Sequence, residues 1–206
     1  MGLLLHIHPV TPDPKKILKV VEILKNNGVA IYPTDSVYGM GCSINSKEAV
    51  ERISLLKGIK PSEAEFSFLF GDISQIVDYV KPLSKETFKI LKRNLPGPFT
   101  FILPASKKVP KMLENKRKTI GIRIPNNNIV RELVRQLGFP ILNTSVKAED
   151  NVVEYQTDPS LIWEKYKELV DVVIDGGLGN NEPSTVVDLT GEEPVILRQG
   201  IGELKL

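Results

Sequence analysis

Short apolar runs alternate with segments of helical period along nearly the whole chain, from Leu3 to Arg198, and this alternation most constrains the fold. Strand-like runs occupy Leu3–His8, Val29–Tyr32, Phe66–Phe70, Phe99–Leu103, Thr119–Ile124, Ile141–Ser145, Val172–Ile174, Thr185–Asp188 and Val195–Arg198. Between them, Lys15–Asn26 carries Ile17, Val20, Val21 and Leu24 at helical spacing, with Gly28 as its expected cap. Ser46 precedes a helix over Lys47–Leu56, and Ser84 precedes one over Lys85–Arg93. Ile129–Leu137 closes at Gly138, and Asp158-Pro159 opens a helix running to about Leu169. Such a chain folds as α/β, with helices laid over a twisted sheet. No tract rich in Gly, Ser and Pro divides it, so residues 1–206 are expected to form one domain.

Composition narrows the function classes. Lys and Arg number 27 against 25 Asp and Glu, which excludes a globally basic nucleic-acid binder but not a local basic patch. Cys42 is the single cysteine, so no internal disulfide forms and a reducing, cytoplasmic setting is expected. The N-terminal stretch MGLLLHIHPV lacks the charged region of a signal peptide, and no apolar run spans a membrane. His6 and His8 share a strand face, but the chain has no other histidine and no CxxC to complete a zinc set, so no metal site is expected. Neither GxGxxG nor GxxxxGK[ST] occurs. Gly176-Gly177-Leu178-Gly179 reads as a turn, and Cys42 reads as packing.

The segment Tyr32-Pro33-Thr34-Asp35-Ser36-Val37-Tyr38-Gly39-Met40-Gly41 reads as a loop. It presents hydroxyls to a polar ligand while its glycines permit close backbone approach. The same string also suits an Asx or Ser/Thr turn with a packed tyrosine. Lys57, Arg123 and Arg198 each stand at the end of a predicted element, where a cation suits carboxylate or phosphate capture. Lys107 to Lys118 holds six basic residues and one acidic, either a phosphate-binding patch or a solvated loop.

Seven segments together carry a family resemblance: YPTDSVYGMG, PGPFTFIL, KTIGIRIP, PILNTS, DGG, PSTVVDLT and ILRQG. In number and order they resemble the YrdC/YciO family, most closely its YciO branch. The resemblance implies a single twisted, mixed open sheet with flanking helices around a large concave, positively lined cavity. It implies threonylcarbamoyl-AMP synthesis from ATP, L-threonine and bicarbonate, with Mg²⁺ on the nucleotide and a link to tRNA threonylcarbamoyladenosine. It also implies binding of double-stranded RNA or tRNA, as the alternative to turnover.

By that resemblance Thr34, Ser36, Tyr38, Arg123 and Thr185 hold threonine. Lys57, Ser145, Ser184 and Arg198 hold ATP or AMP, and Lys57 and Arg123 are the catalytic cations. An RNA would meet Lys107, Lys108, Lys111, Lys116, Arg117 and Lys118. Two positions depart from the family pattern: Ile59 replaces the arginine of K-x-R, and Lys147 replaces the asparagine of S-x-N. Isoleucine cannot reproduce a bidentate phosphate contact, and Lys60 offers only a point charge.

Overall fold

The computed structural model describes residues 1–60, 66–146 and 157–206. Ten strands form one mixed sheet: β1 (Leu3–His6), β2 (Ala30–Tyr32), β3 (Gly39–Ser43), β4 (Ser67–Leu69), β5 (Phe99–Pro104), β6 (Thr119–Arg123), β7 (Ile141–Ser145), β8 (Val172–Asp175), β9 (Thr185–Asp188) and β10 (Val195–Arg198). Their order is β1-β8-β2-β3-β7-β4-β6-β5-β9-β10, and the sheet is open, with β1 and β10 at its edges. Among the described residues the α-helices are α1 (Pro14–Lys25), α2 (Lys47–Leu56), α3 (Ile73–Ile76), α4 (Lys85–Asn94), α5 (Asn128–Leu137) and α6 (Pro159–Tyr166). Among the described residues no helix is long and apolar enough to cross a membrane.

The expected caps form. Ser46, Ser84 and Asp158 accept from Ala49, Thr87 and Ser160 amides, and Gly138 ends α5 at φ 82°. At the end of α1 the expectation shifts by one residue. Asn27 takes the left-handed conformation at φ 62°, while the Gly28 amide bonds to the Ile23 carbonyl, the six-to-one bond of a Schellman motif.

Alternation sorts each strand onto two faces. Met40, Cys42, Phe68, Leu142, Ile122, Phe101 and Val187 share one face, under α2, α4 and α6. The opposite face is divided. At one end α1 and α5 cover Ala30, Tyr32, Leu69, Ile141, Val172 and Ile174. Further along, its residues are small or polar: Gly39, Gly41, Asn143, Ser67, Gly121, Thr100.

The segment Tyr32–Gly41 reads as a loop from its residues, but Gly39–Gly41 belong to a strand, β3 (Gly39–Ser43), buried along its full length. Glycine disguised the strand, and packing explains it. A Cβ at Gly39 would lie 2.3 Å from Asn143 Oδ1 and 2.8 Å from the Tyr32 ring. At Gly41 it would lie 2.1 Å from the Tyr32 hydroxyl oxygen. The phenol thus lies flat on β3 and donates to Asn143 Oδ1 at 3.0 Å, and Asn143 Nδ2 donates to Ser67 Oγ at 3.0 Å.

The sheet also curls. By register Tyr32 lies level with Thr119, four strands away, and Arg123 is four residues further along β6. In a flat sheet that separation would be roughly 19 Å across the strands and ~13 Å along them. Yet Arg123 bonds to Asp35 and Ser36, just beyond β2. Twist of about 20–25° per strand, accumulated over four steps, folds the small-residue face into a hollow.

Gly41→Ala is expected to lower stability by about 2 kcal/mol, because the new methyl meets both the Tyr32 hydroxyl and the Leu142 carbonyl. Gly121→Ala, whose nearest neighbour is the Thr100 methyl at 3.1 Å, is expected to lose less. Urea unfolding of the two variants checks the order, and equal losses would contradict the packing described.

Candidate functional site

The hollow is built around Arg123, the last residue of β6, which is 5% exposed. Its Nη2 donates to Asp35 Oδ1 and to Ser36 Oγ, each at 3.0 Å. Asp35 Oδ2 accepts the Asn126 amide at 2.7 Å, so one carboxylate ties the β2–β3 turn to the segment after β6. Among the described residues Nη2 alone of the three guanidinium nitrogens is bonded, and Nε is buried without a partner. Burial pulls the guanidinium below its ordinary value, and the Asp35 carboxylate opposes that shift. Arginine stays cationic throughout, so the hollow contains a guanidinium, paired on one nitrogen with Asp35, that keeps unused donors.

Thr34 and Ser36 stand beside it. Their hydroxyls are 3.2 Å apart, and Thr34 Oγ1 donates to the Val37 carbonyl and accepts the Ser36 amide. Thr34 and Asp35 also border a cleft of about 530 Å³, closed on the other side by Leu178, Gly179, Asn180 and Asn181. The Gly176–Gly179 turn predicted from sequence is a wall of this cleft. Tyr38 holds it by donating to the Gly177 carbonyl at 2.7 Å. Burial pushes the Tyr38 phenol up, so it remains a neutral donor; its hydroxyl serves the turn.

A second group gathers at the β9–β10 end. Thr100 and Ser184 hydroxyls are 2.9 Å apart, and Arg198 grips the Ser184 carbonyl through Nε at 3.3 Å and Nη2 at 2.8 Å. Arg198 is near enough to oppose the Arg123 charge weakly, as the smallest of the influences on that guanidinium. A third contact joins Lys57, the C-cap of α2, to the Ser145 carbonyl at 2.9 Å. Ile59 follows Gly58, which takes φ 63°, and is 41% exposed. Lys147 lies outside the described residues.

Thr185 is placed differently from Ser184. It is fully buried on the core face, and its hydroxyl donates to the Gly202 carbonyl and accepts the Gly200 amide. The six basic residues of 107–118 are all exposed, on the loop joining β5 to β6. That loop leaves β6 at Thr119, so it lies at the opposite end of the strand from Arg123. Lys108 pairs with Asp78 at 2.5 Å and lies over the Tyr79 ring.

His6 sits 3.4 Å from Asp175, whereas His8 accepts from Thr11, so the two imidazoles serve different partners. Among the described residues no group of three or more metal-ligating side chains occurs. Cys42 is buried, which pushes its thiol up to about 12 and keeps it protonated.

Three participants were missed from sequence. Asp35 was quoted within the motif but given no role; an acid beside hydroxyls in a loop does not reveal which distant arginine it meets. Asn143 and Ser67 were read only as strand residues, and their pairing depends on a register between β4 and β7 that periodicity cannot supply.

The Sua5/YciO/YrdC family model, described as telomere recombination, matches residues 22–200. The uncharacterized protein YciO of Escherichia coli K12 is 39% identical over 206 residues, covering 100% of this chain and 98% of that protein. Its crystal structure superposes with a TM-score of 0.91 over 98% of each chain. A threonylcarbamoyl-AMP synthase of Vibrio vulnificus is 29% identical over 188 residues, 88% of this chain and 97% of the synthase. P. abyssi Sua5 complexed with L-threonine, 27% identical, gives a TM-score of 0.85 over 99% of this chain and 62% of that one. With a family model spanning most of its length and a relative that shares 39% of its residues end to end, this chain belongs to the Sua5/YciO/YrdC family.

Proposed function

We propose that the hollow binds L-threonine beside a magnesium-bound ATP, and that the chain is a threonylcarbamoyl-AMP synthase-type protein of low turnover in a cytoplasmic, reducing setting. The observation that carries this is Arg123: a buried guanidinium with unbonded nitrogens, beside the Thr34 and Ser36 hydroxyls. A carboxylate next to a desolvated guanidinium gains charge-assisted bonds that water would otherwise weaken. The Sua5 relative complexed with L-threonine supports the choice of amino acid.

The free-amine form of threonine, its ammonium proton lost to water, and bicarbonate give a carbamate and water. The carbamate oxygen attacks the α-phosphorus, and pyrophosphate leaves. No side-chain base is needed, since the carbamate is already an anion. What the protein supplies is alignment of two anions and cations to offset the charge between them. Arg123 takes the amino-acid end, while Arg198 and Lys57 face the phosphates near Ser184 and Ser145. Magnesium travels with the triphosphate as part of the substrate.

Arg123→Ala is expected to weaken L-threonine far more than AMP in calorimetry. Arg198→Ala should do the reverse, at about 1.5–3 kcal/mol for a charged hydrogen bond. Equal losses for both ligands in either variant would displace that arginine from its role.

Low turnover follows from Ile59 and Lys147. A bidentate phosphate contact that strengthens as charge develops raises turnover, whereas one made equally in the ground state only tightens binding. Ile59→Arg combined with Lys147→Asn is therefore expected to increase pyrophosphate release with threonine, bicarbonate and ATP more than it increases ATP affinity. High release from the unmodified chain would contradict this.

The exposure of all six basic side chains on one loop favours a second reading, binding of structured RNA or tRNA there. Reversing the charges of Lys107, Lys111 and Lys116 together is expected to abolish retention of a tRNA on a filter at low salt, with nucleotide affinity unchanged. Retention that survives the reversal makes the loop merely solvated.

A further inference from the structure

Away from the hollow, the connection from α3 to α4 and the start of α4 enclose an apolar cleft of about 460 Å³. Val80 and Leu83 line it from the connection, and Val77 and Phe88 flank it while 55% and 40% exposed. Volumes of roughly 300–1,000 Å³ are typical of small-molecule sites. Apolar side chains around a concavity give an apolar ligand a surface to pack on.

The polar lining has one sign. Lys81, Lys85 and Lys89 border the cleft, all exposed, with Lys85 and Lys89 one turn apart on α4. Among the described residues no carboxylate pairs with any of the three. Of the nearest acids, Asp78 is held by Lys108, and Glu86 does not line the cleft. The first turn of α4 opens at the same place and adds the positive end of a ten-residue helix.

We propose that this cleft binds a single-chain amphiphile with an anionic head, a medium-chain carboxylate. Its chain packs on Val77, Val80, Leu83 and Phe88, and its carboxylate meets the three ammonium groups. Charge complementarity selects this ligand. A neutral apolar ligand would gain nothing from the three cations, whereas an anionic head gains their attraction. Nucleic-acid phosphates would match the cations but leave the aliphatic wall in water. The site stands apart from the threonine and nucleotide reading and does not rest on it.

The test uses sodium decanoate below its micelle concentration, with calorimetry and amide NMR on the full chain. Saturable binding of one equivalent is expected, with shifts confined to residues 77–89 and absent from 34–36. The Lys85→Glu, Lys89→Glu double variant and Phe88→Ser, all at exposed positions, are each expected to weaken binding by at least about tenfold. Thermal melts confirm that both variants fold. Decyltrimethylammonium, with a similar chain and the opposite charge, is expected not to bind. The proposal is overturned by absent or unsaturable heat, by equal binding of the cation, or by affinity unchanged in both variants. It is equally overturned if sedimentation shows a dimer that buries this cleft and that decanoate does not dissociate.

Discussion

One buried ion pair, Arg123 with Asp35, sets the geometry on which everything else in the hollow depends. It joins the end of β6 to the turn after β2 across a curled sheet. Both side chains are nearly excluded from water, at 6% and 10% exposure. Removing one partner from such a pair strands the other charge, a loss of about 3–5 kcal/mol, while the intact pair adds far less net stability. The pair is therefore better understood as a geometric constraint than as a source of stability. Asp35 also accepts the Asn126 amide, which fixes where α5 begins and so how that helix meets α1.

The same face explains why small residues line the hollow. Helices α1 and α5 cover one half, where Ala30, Leu69, Ile141 and Val172 offer apolar surface. Over the rest no helix among the described residues packs, and the strands carry Ser67, Gly121 and Thr100 instead. Small side chains leave volume above the sheet, and the Tyr32, Asn143 and Ser67 side chains satisfy one another there. A sheet coated with apolar residues on both faces would have no such space.

Much of this was legible in the chain before its structure. The amphipathic periods of α1 and α5, the caps at Ser46, Ser84 and Asp158, and the strands around Phe101 and Ile122 follow from local rules of period and hydrogen bonding. The motif around Thr34–Tyr38 is the turn that meets Arg123, through Asp35 and Ser36. What stayed hidden was non-local. Gly39 and Gly41 look like loop residues because glycine disfavours strands, and only the Tyr32 ring lying on them accounts for their place. Thr185 and Ser184 are adjacent in sequence, yet strand alternation sends one hydroxyl to the core and the other to the hollow. Knowing that requires the register of β9 against β5.

The edge position of β10 has a consequence for motion. All four of its residues are exposed, and its pairing with β9 shifts register between Ile196 and Arg198. By contrast β2, β3 and β4 are buried along their whole length. Backbone amides in the central strands exchange with solvent only through global unfolding, whereas those of a frayed edge exchange through cheap local openings. Arg198 thus stands on an exposed edge strand, and Arg123 on an interior one. One cation is anchored inside the sheet; the other stands where local opening costs least.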